Sequence, residues 1–341
     1  MVAAKMEIIV GTYEEMLVGY ELTQKEGVYS LKQSFTNHSH MGSIRCLCAT
    51  SKFLTSGATD ETINLFNLKN RTECGALIHH EGSINALKFY GNSYLLSASE
   101  DGNICVWQTN NWQCLKTLRG HKKGVTSLSV HPSGKLALSL SKDATLRTWN
   151  LVKGRSAYII NLKKVADIVE WSTSGHFYAV AIDENVDIYS VEKAGIIRSI
   201  DYGRKIHCLS FVNDDVILIG GESGSVEIHS TLKDKLYCKF NAHSTRIKEM
   251  KIVEGGKLVT ASNDGYIKVW QFDVGKMEDK PNLLVKTNTG CRITCLTVAV
   301  DEVKMEIEEI KEEESIVETE SVKRPKKDET KMRKKKKIAQ T

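Results

Sequence analysis

Hydrophobic positions in this chain alternate with polar ones in short runs, and the runs recur. They begin near Ile44, Ile84, Val125, Ala166, Ile206, Ile247 and Ile293, at steps of 40, 41, 41, 40, 41 and 46 residues. Each run is followed by a turn, a second run, a tight polar turn and a third run ending in an aromatic residue or its substitute. Residues 125–151, VTSLSVHPSGKLALSLSKDATLRTWNL, show all three, and a further run such as residues 157–162 leads into the next unit. Alternation of period two, with Gly, Asn and Asp at the turns, predicts strands, and no helical stripe competes with it. Four short strands per unit predict one propeller blade, and the fixed period marks a repeat fold.

Seven starts predict seven blades, but the last run, residues 293–300 (ITCLTVAV), has no partner strands after it. The missing strands stand at the other end of the chain. Residues 11–20 (GTYEEMLVGY) align with residues 57–66 (GATDETINLF), and residues 28–35 supply an outer strand. The predicted fold is therefore all-β, a seven-bladed β-propeller over residues 6–303 whose N- and C-terminal strands share one blade. Such a joint closes the ring without a covalent bond and removes open sheet edges, which predicts a monomeric body.

A polar pattern rides on the repeat. His80, Ser97, Asp101 and Trp107 recur as His121, Ser139, Asp143 and Trp149, and again as His243, Thr260, Asp264 and Trp270. His40, Ser56, Asp60 and Phe66 make a partial copy. An Asp in the tight turn can accept from a His on the preceding loop. The Ser or Thr hydroxyl can orient that His and receive the indole N–H. Each buried polar group then has a partner, whereas one left unpaired costs about 1–3 kcal/mol. A Ser-His-Asp triad occurs once per site, and this grouping recurs blade after blade, so a structural role is expected and no catalytic residue is assigned. Three units depart from the pattern. The unit from Ala166 keeps Asp183 and Tyr189 but has Leu162 at the His position, that from Ile206 has Ser223 and His229 for Asp and Trp, and the closing blade has Glu14 and Tyr20.

Composition narrows the classes. The chain has 341 residues, 41% hydrophobic, ample for a large buried core. It has no run of eighteen apolar residues, so no membrane span is expected. Nine cysteines suggest reduced thiols. Cys46 with Cys48 and Cys291 with Cys295 lack the two further ligands of a structural zinc site, so no metal is expected. GGESG at residues 220–224 reads as a turn, and no phosphate loop or cofactor motif is present.

Residues 301–322 carry ten acidic and two basic side chains, a net charge of −8, and residues 323–341 carry ten basic and two acidic, a net charge of +8. Like-charge blocks resist compaction, which predicts a disordered acidic-then-basic tail over residues 304–341. Lys323, Arg324, Lys326 and Lys327 form one basic cluster, and Arg333, Lys334, Lys335, Lys336 and Lys337 a second. Such clusters suit a nuclear import receptor or RNA phosphates. The remaining charge of +5 lies on the folded part and is too modest to predict nucleic-acid binding there.

The strand ends Trp107-Gln, Trp149-Asn and Trp270-Gln resemble those of WD-repeat proteins with the Trp-Asp dipeptide replaced. More narrowly, residues 75–92 (GALIHHEGSINALKFYGN), 100–116 (EDGNICVWQTNNWQCLK) and 131–159 (HPSGKLALSLSKDATLRTWNLVKGRSAYI) resemble the p21-activated protein kinase-interacting protein family. The resemblance implies a protein of the nucleus and nucleolus acting in assembly of the large ribosomal subunit, with pre-ribosomal assembly factors as partners. It also implies a negative regulator that binds the regulatory region of p21-activated protein kinase. A propeller enzyme fits poorly, because no unpaired acid, base or nucleophile stands out. A ubiquitin-ligase substrate receptor is disfavoured by the absence of Trp-Asp-x-Arg.

Overall fold

The computed structural model of the chain describes residues 5–253 and 255–300. Among these residues every helix or strand is a strand, and the 28 strands form seven antiparallel four-stranded sheets. The residues Lys5–Val300 form one compact unit. In chain order the first blade covers residues 44–78, the second 84–118, the third 125–161, the fourth 168–201, the fifth 206–241 and the sixth 247–288. The seventh is the joint: its innermost strand, Ile293–Val300, pairs with Met6–Thr12, which pairs with Leu17–Lys25 and then Val28–Asn37. The seven-bladed ring and its shared blade are therefore as the repeat register predicts. The tail, residues 304–341, lies outside the described residues.

Six of the seven inner strands begin where the alternation places them. The exception is the fourth blade, whose inner strand is Ile168–Trp171, two residues after Ala166. The equivalence of the joint with an ordinary blade is visible at two glycines. A Cβ on Gly57 would lie 2.6 Å from Ile84 Cγ2 of the next blade, and one on Gly11 would lie 2.6 Å from Ile44 Cγ2. Each lacks a side chain because the next inner strand packs directly on its backbone. The core lies between blades: Ile9 and Leu17 of the joint share one cluster with Ile44, Leu47 and Leu54 of the first blade.

Two bulges recur in the sheets. One precedes the residue at the aromatic position, between Val106 and Trp107 or Thr148 and Trp149. The other interrupts the start of the inner strand, so that Ile44 and Cys46 are paired but Arg45 is not. The same slip skips Asn85, Thr126, His207 and Lys248, and Thr294 in the joint. A bulge leaves its extra residue unpaired and re-aims its side chain. Within the central channel, Lys88 reaches across to Glu170 at 3.0 Å, and Lys251 pairs with Glu249 at 3.0 Å.

Candidate functional site

Each of the four His-bearing loops immediately precedes an inner strand and lies beside the tight turn joining the second and third strands of its own blade. In the second blade His80 Nδ1 lies 2.9 Å from Asp101 Oδ2 and Nε2 lies 2.8 Å from Ser97 Oγ. The Trp107 indole N–H donates to that same hydroxyl oxygen at 2.9 Å. The third blade repeats this with His121 3.1 Å from Asp143, 2.7 Å from Ser139, and Trp149 donating to Ser139 at 2.8 Å. In the first blade His40 lies 2.9 Å from Asp60 and 2.7 Å from Ser56, and Phe66 has no N–H to give.

One proton arrangement satisfies every atom of these chains. The indole N–H donates to the serine oxygen, the serine O–H donates to Nε2, and the Nδ1–H of a neutral imidazole donates to the carboxylate. Each carboxylate also accepts the backbone N–H of the residue after the His (Met41, Glu81 or Lys122). Its other oxygen accepts the N–H of Thr62, Asn103 or Thr145. The Asp thus ties loop to turn. Burial by itself raises these carboxyls, but the bonds outweigh it. Those from Thr145, Lys122 and His121 hold Asp143 well below the usual carboxylate range, and those from His80, Asn103 and Glu81 bring Asp101 down to about 2.

A nucleophile must be reachable. Ser56, Ser97 and Ser139 are 0% exposed, and each hydroxyl is already engaged with its His. That geometry suits a brace rather than acyl transfer.

The sixth blade differs from expectation. His243 Nε2 lies 2.8 Å from Thr260 Oγ1, and Trp270 donates to that oxygen at 3.0 Å, but His243 and Asp264 are not joined. Asp264 accepts instead from the Ser262 and Ser244 hydroxyls. Ser244 stands where Met41, Glu81 and Lys122 stand elsewhere, so a local hydroxyl competes for the carboxylate. Burial, with the nearby Lys268 ammonium, pushes His243 down to about 4. The unfolded chain then binds a proton near pH 6.5 that the folded one refuses until about pH 4. Stability is full above 6.5 and is lost as pH falls through that window. Melting temperatures should drop between pH 6.5 and 4, and His243→Gln should flatten part of the drop; equal slopes for the two proteins would contradict this.

The departing blades carry other pairings. Asp183 is not the equivalent of the network Asp: the fourth-blade turn is one residue shorter and places Asp183 itself at the positive-φ position (φ 53°), which Glu61, Gly102 and Ala144 hold in the first three blades. Tyr189 stacks on Tyr178, with ring centroids 4.8 Å apart. In the fifth blade Tyr202 sits four residues before Ile206, at the His position, and its hydroxyl bonds Ser223 and donates to the Ser225 carbonyl at 2.8 Å. The sequence signal for Tyr202 was its spacing, which a search for His alone passes over. His229, at the Trp position, pairs with buried Glu227 at 2.9 Å, and Lys239 reaches Glu227 at 2.7 Å. In the joint, Glu14 accepts the Arg292 backbone N–H at 3.1 Å.

Among the described residues one group of three metal-capable donors occurs, at His79, Cys105 and Cys114, with ligand atoms within 4.8 Å of one another. It was not legible from spacing because its members come from a loop and two strands. Three donors fall one short of a closed tetrahedral site. The basic clusters Lys323, Arg324, Lys326 and Lys327, and Arg333 to Lys337, lie outside the described residues.

The WD domain, G-beta repeat model matches residues 29–67, 71–108, 112–150 and 234–271. Each segment takes in the inner three strands of one His-bearing blade and the outer strand of the blade before it, and the inner three strands of the three departing blades go unmatched. The chain is 46% identical over 296 residues to "p21-activated protein kinase-interacting protein 1-like" of Danio rerio, covering 86% of this chain and 80% of that protein. It is 29% identical over 355 residues to "Protein MAK11" of Saccharomyces cerevisiae, covering 88% and 84%. It is 25% identical over 314 residues to "Shk1 kinase-binding protein 15" of Schizosaccharomyces pombe, covering 90% and 88%. With a closed seven-bladed ring, four matched repeats and relatives aligned along most of its length, the chain belongs to the p21-activated protein kinase-interacting protein family of WD-repeat propellers.

Proposed function

We propose that this protein is a non-catalytic interaction scaffold acting in assembly of the large ribosomal subunit in the nucleolus. The observation that supports this most is the way the fold spends its reactive groups. The His, Ser and Asp side chains of the first three blades are consumed in bracing loops, and ion pairs such as Lys88 with Glu170 cross the channel. The cavity left in the channel is about 220 Å³ and is lined by these ion pairs and the bulged inner strands. The outer faces and channel mouths are what remain for use, and a WD-repeat propeller is a fold that typically binds rather than catalyses. Assembly factors are the partners of the folded part in this reading, and the basic clusters of the tail engage an import receptor or ribosomal RNA.

A second reading is favoured by the name of the Danio rerio relative, which gives interaction with a p21-activated protein kinase; in this reading the chain binds such a kinase and holds it inactive. The two roles are compatible in one protein. Affinity purification from cells with and without nuclease, followed by mass spectrometry, separates them. Large-subunit assembly factors in the eluate support the scaffold, and kinase alone supports the regulator.

The tail has its own test. A chain ending at Val303 should melt almost unchanged, because the segment removed carries little apolar surface to bury. Its fluorescent fusion should shift toward the cytoplasm, and residues 323–341 should draw a neutral reporter into the nucleus. Nuclear enrichment of the shortened chain at the full-length level would show that the propeller sets location by itself.

A further inference from the structure

The inner strands all begin at one mouth of the channel, and the bulges at their starts turn one side chain per blade toward it. The residues so placed are not a neutral ring. Four consecutive blades present Lys205 and His207, Arg246 and Lys248, Arg292, and Arg45 at or beside the bulged position. The second and third blades present Asn85 and Thr126, and Asp167 of the fourth is held by Lys205 at 3.4 Å. The charge is therefore confined to one arc of the rim.

Four cations of the arc lack a paired carboxylate. Among the described residues no carboxylate lies within salt-bridge distance of the Arg45, Arg246, Lys248 or Arg292 side chains, whereas fourteen other basic groups have such a partner. Of the nearby acids, Glu249 pairs with Lys251 and Glu14 with the Arg292 backbone; Glu100 is bonded to Lys142 and Asn85 and feels Arg45 only at longer range, and Glu222 faces His207 at the edge of the arc. Arg246 and Arg292 share only the Asn263 amide oxygen. His207 Nε2 is buried with no hydrogen-bond partner. Burial, and then Arg246, Arg292 and Arg45, depress Lys248 below its ordinary value, as expected of a cation crowded by cations. Such an array opposes its own folding and raises the local concentration of anions.

We infer that this arc is a docking site for a carboxylate-rich peptide segment of a partner protein, lying across the channel mouth. The inference rests on the scaffold reading and names the chemistry of one of its partners. The exposed guanidinium groups of Arg45 and Arg292 offer the forked donors that pair best with carboxylates, and half-buried Arg246 and Lys248 add charge behind them. Apolar contact is available on the same face from Met41, 91% exposed, and Tyr13, 58% exposed beneath Arg292 at 5.2 Å. A single-stranded nucleic acid fits less well, because it needs a run of stacking aromatics along a basic groove, and among the described residues Tyr13 is the one aromatic ring stacked under an arc cation.

The test uses the full chain and a labelled oligo-glutamate peptide, followed by fluorescence anisotropy at low and physiological salt. Lys248→Glu should weaken binding about ten-fold or more, the size expected for reversing a charge in a contact. Lys153→Glu, on the loop at the opposite end of the strands, should change nothing. Because both variants keep the basic clusters of residues 323–341, the difference between them reports the mouth alone. Arg45→Ala with Arg292→Ala, both exposed, repeats the measurement should Lys248→Glu fail to fold. Equal affinity of the wild type and the folded arc variants would overturn the inference. Tighter binding of oligouridylate, lost in the same variants, would overturn it in favour of RNA. Assembly factors still recovered with an arc variant whose peptide affinity is unchanged would remove the arc and leave the scaffold standing.

Discussion

A chain lacking residues 1–37 should fail to melt as one cooperative unit, and it should do so although six complete blades remain. The deletion removes the three strands that pair outward from Ile293–Val300. It exposes the faces of the first and sixth blades that Ile8, Ile9 and Val10, each 0% exposed, now cover. Each such side chain contributes about 1.5–3 kcal/mol when buried, so these three alone rival the margin of a typical domain. The innermost strand of the joint would also keep an unpaired edge, which invites association with other chains. Differential scanning calorimetry and limited proteolysis of the two chains are the measurement. A truncated form that melts as the full-length protein does would refute the shared blade.

Asp143→Ala should lower stability by about 1–3 kcal/mol, because it strands the His121 Nδ1–H, the Lys122 N–H and the Thr145 N–H together. The control is internal to the fold. Asp264→Ala should cost less, since His243 makes no bond to that carboxylate, and of the groups released, the Tyr266 N–H and the Ser244, Thr245 and Ser262 hydroxyls, exposed Ser244 can turn to solvent and Ser262 to the Tyr266 carbonyl. Denaturant unfolding of both variants checks the order. Equal losses would mean that the Asp acts through its turn alone and not through the His.

These two variants mark where the sequence was legible. Inner-strand starts could be read because period-two alternation and a fixed repeat are both local signals, and only the fourth blade slipped, where Ala166 precedes its strand by two residues. The His, Ser and Asp of three blades could be placed together because the repeat spacing reproduces one geometry. Asp183 misled because a turn shorter by one residue moves the Asp into the positive-φ position without changing the residue type. Asp264 misled because Ser244 and Ser262 compete for it, and a hydroxyl's choice of partner is not written in spacing. Tyr202 was hidden by chemistry, since a phenol stands in for an imidazole. The basic arc was hidden by distance: Arg45 and Arg292 are far apart in the chain, and only bulges on neighbouring blades turn them to one rim.

The joint that closes the ring also sets the order of events during synthesis. Met6 pairs with Val300, so the first strand made waits for the last. The entropy of closing so long a loop grows only as the logarithm of its length, but contacts of this separation form late. Until the final strand emerges, the three-stranded N-terminal sheet keeps a bare edge of the kind that captures other nascent chains. A linear solenoid can add units as they appear, whereas this ring completes its last sheet only when both ends of the propeller have been made.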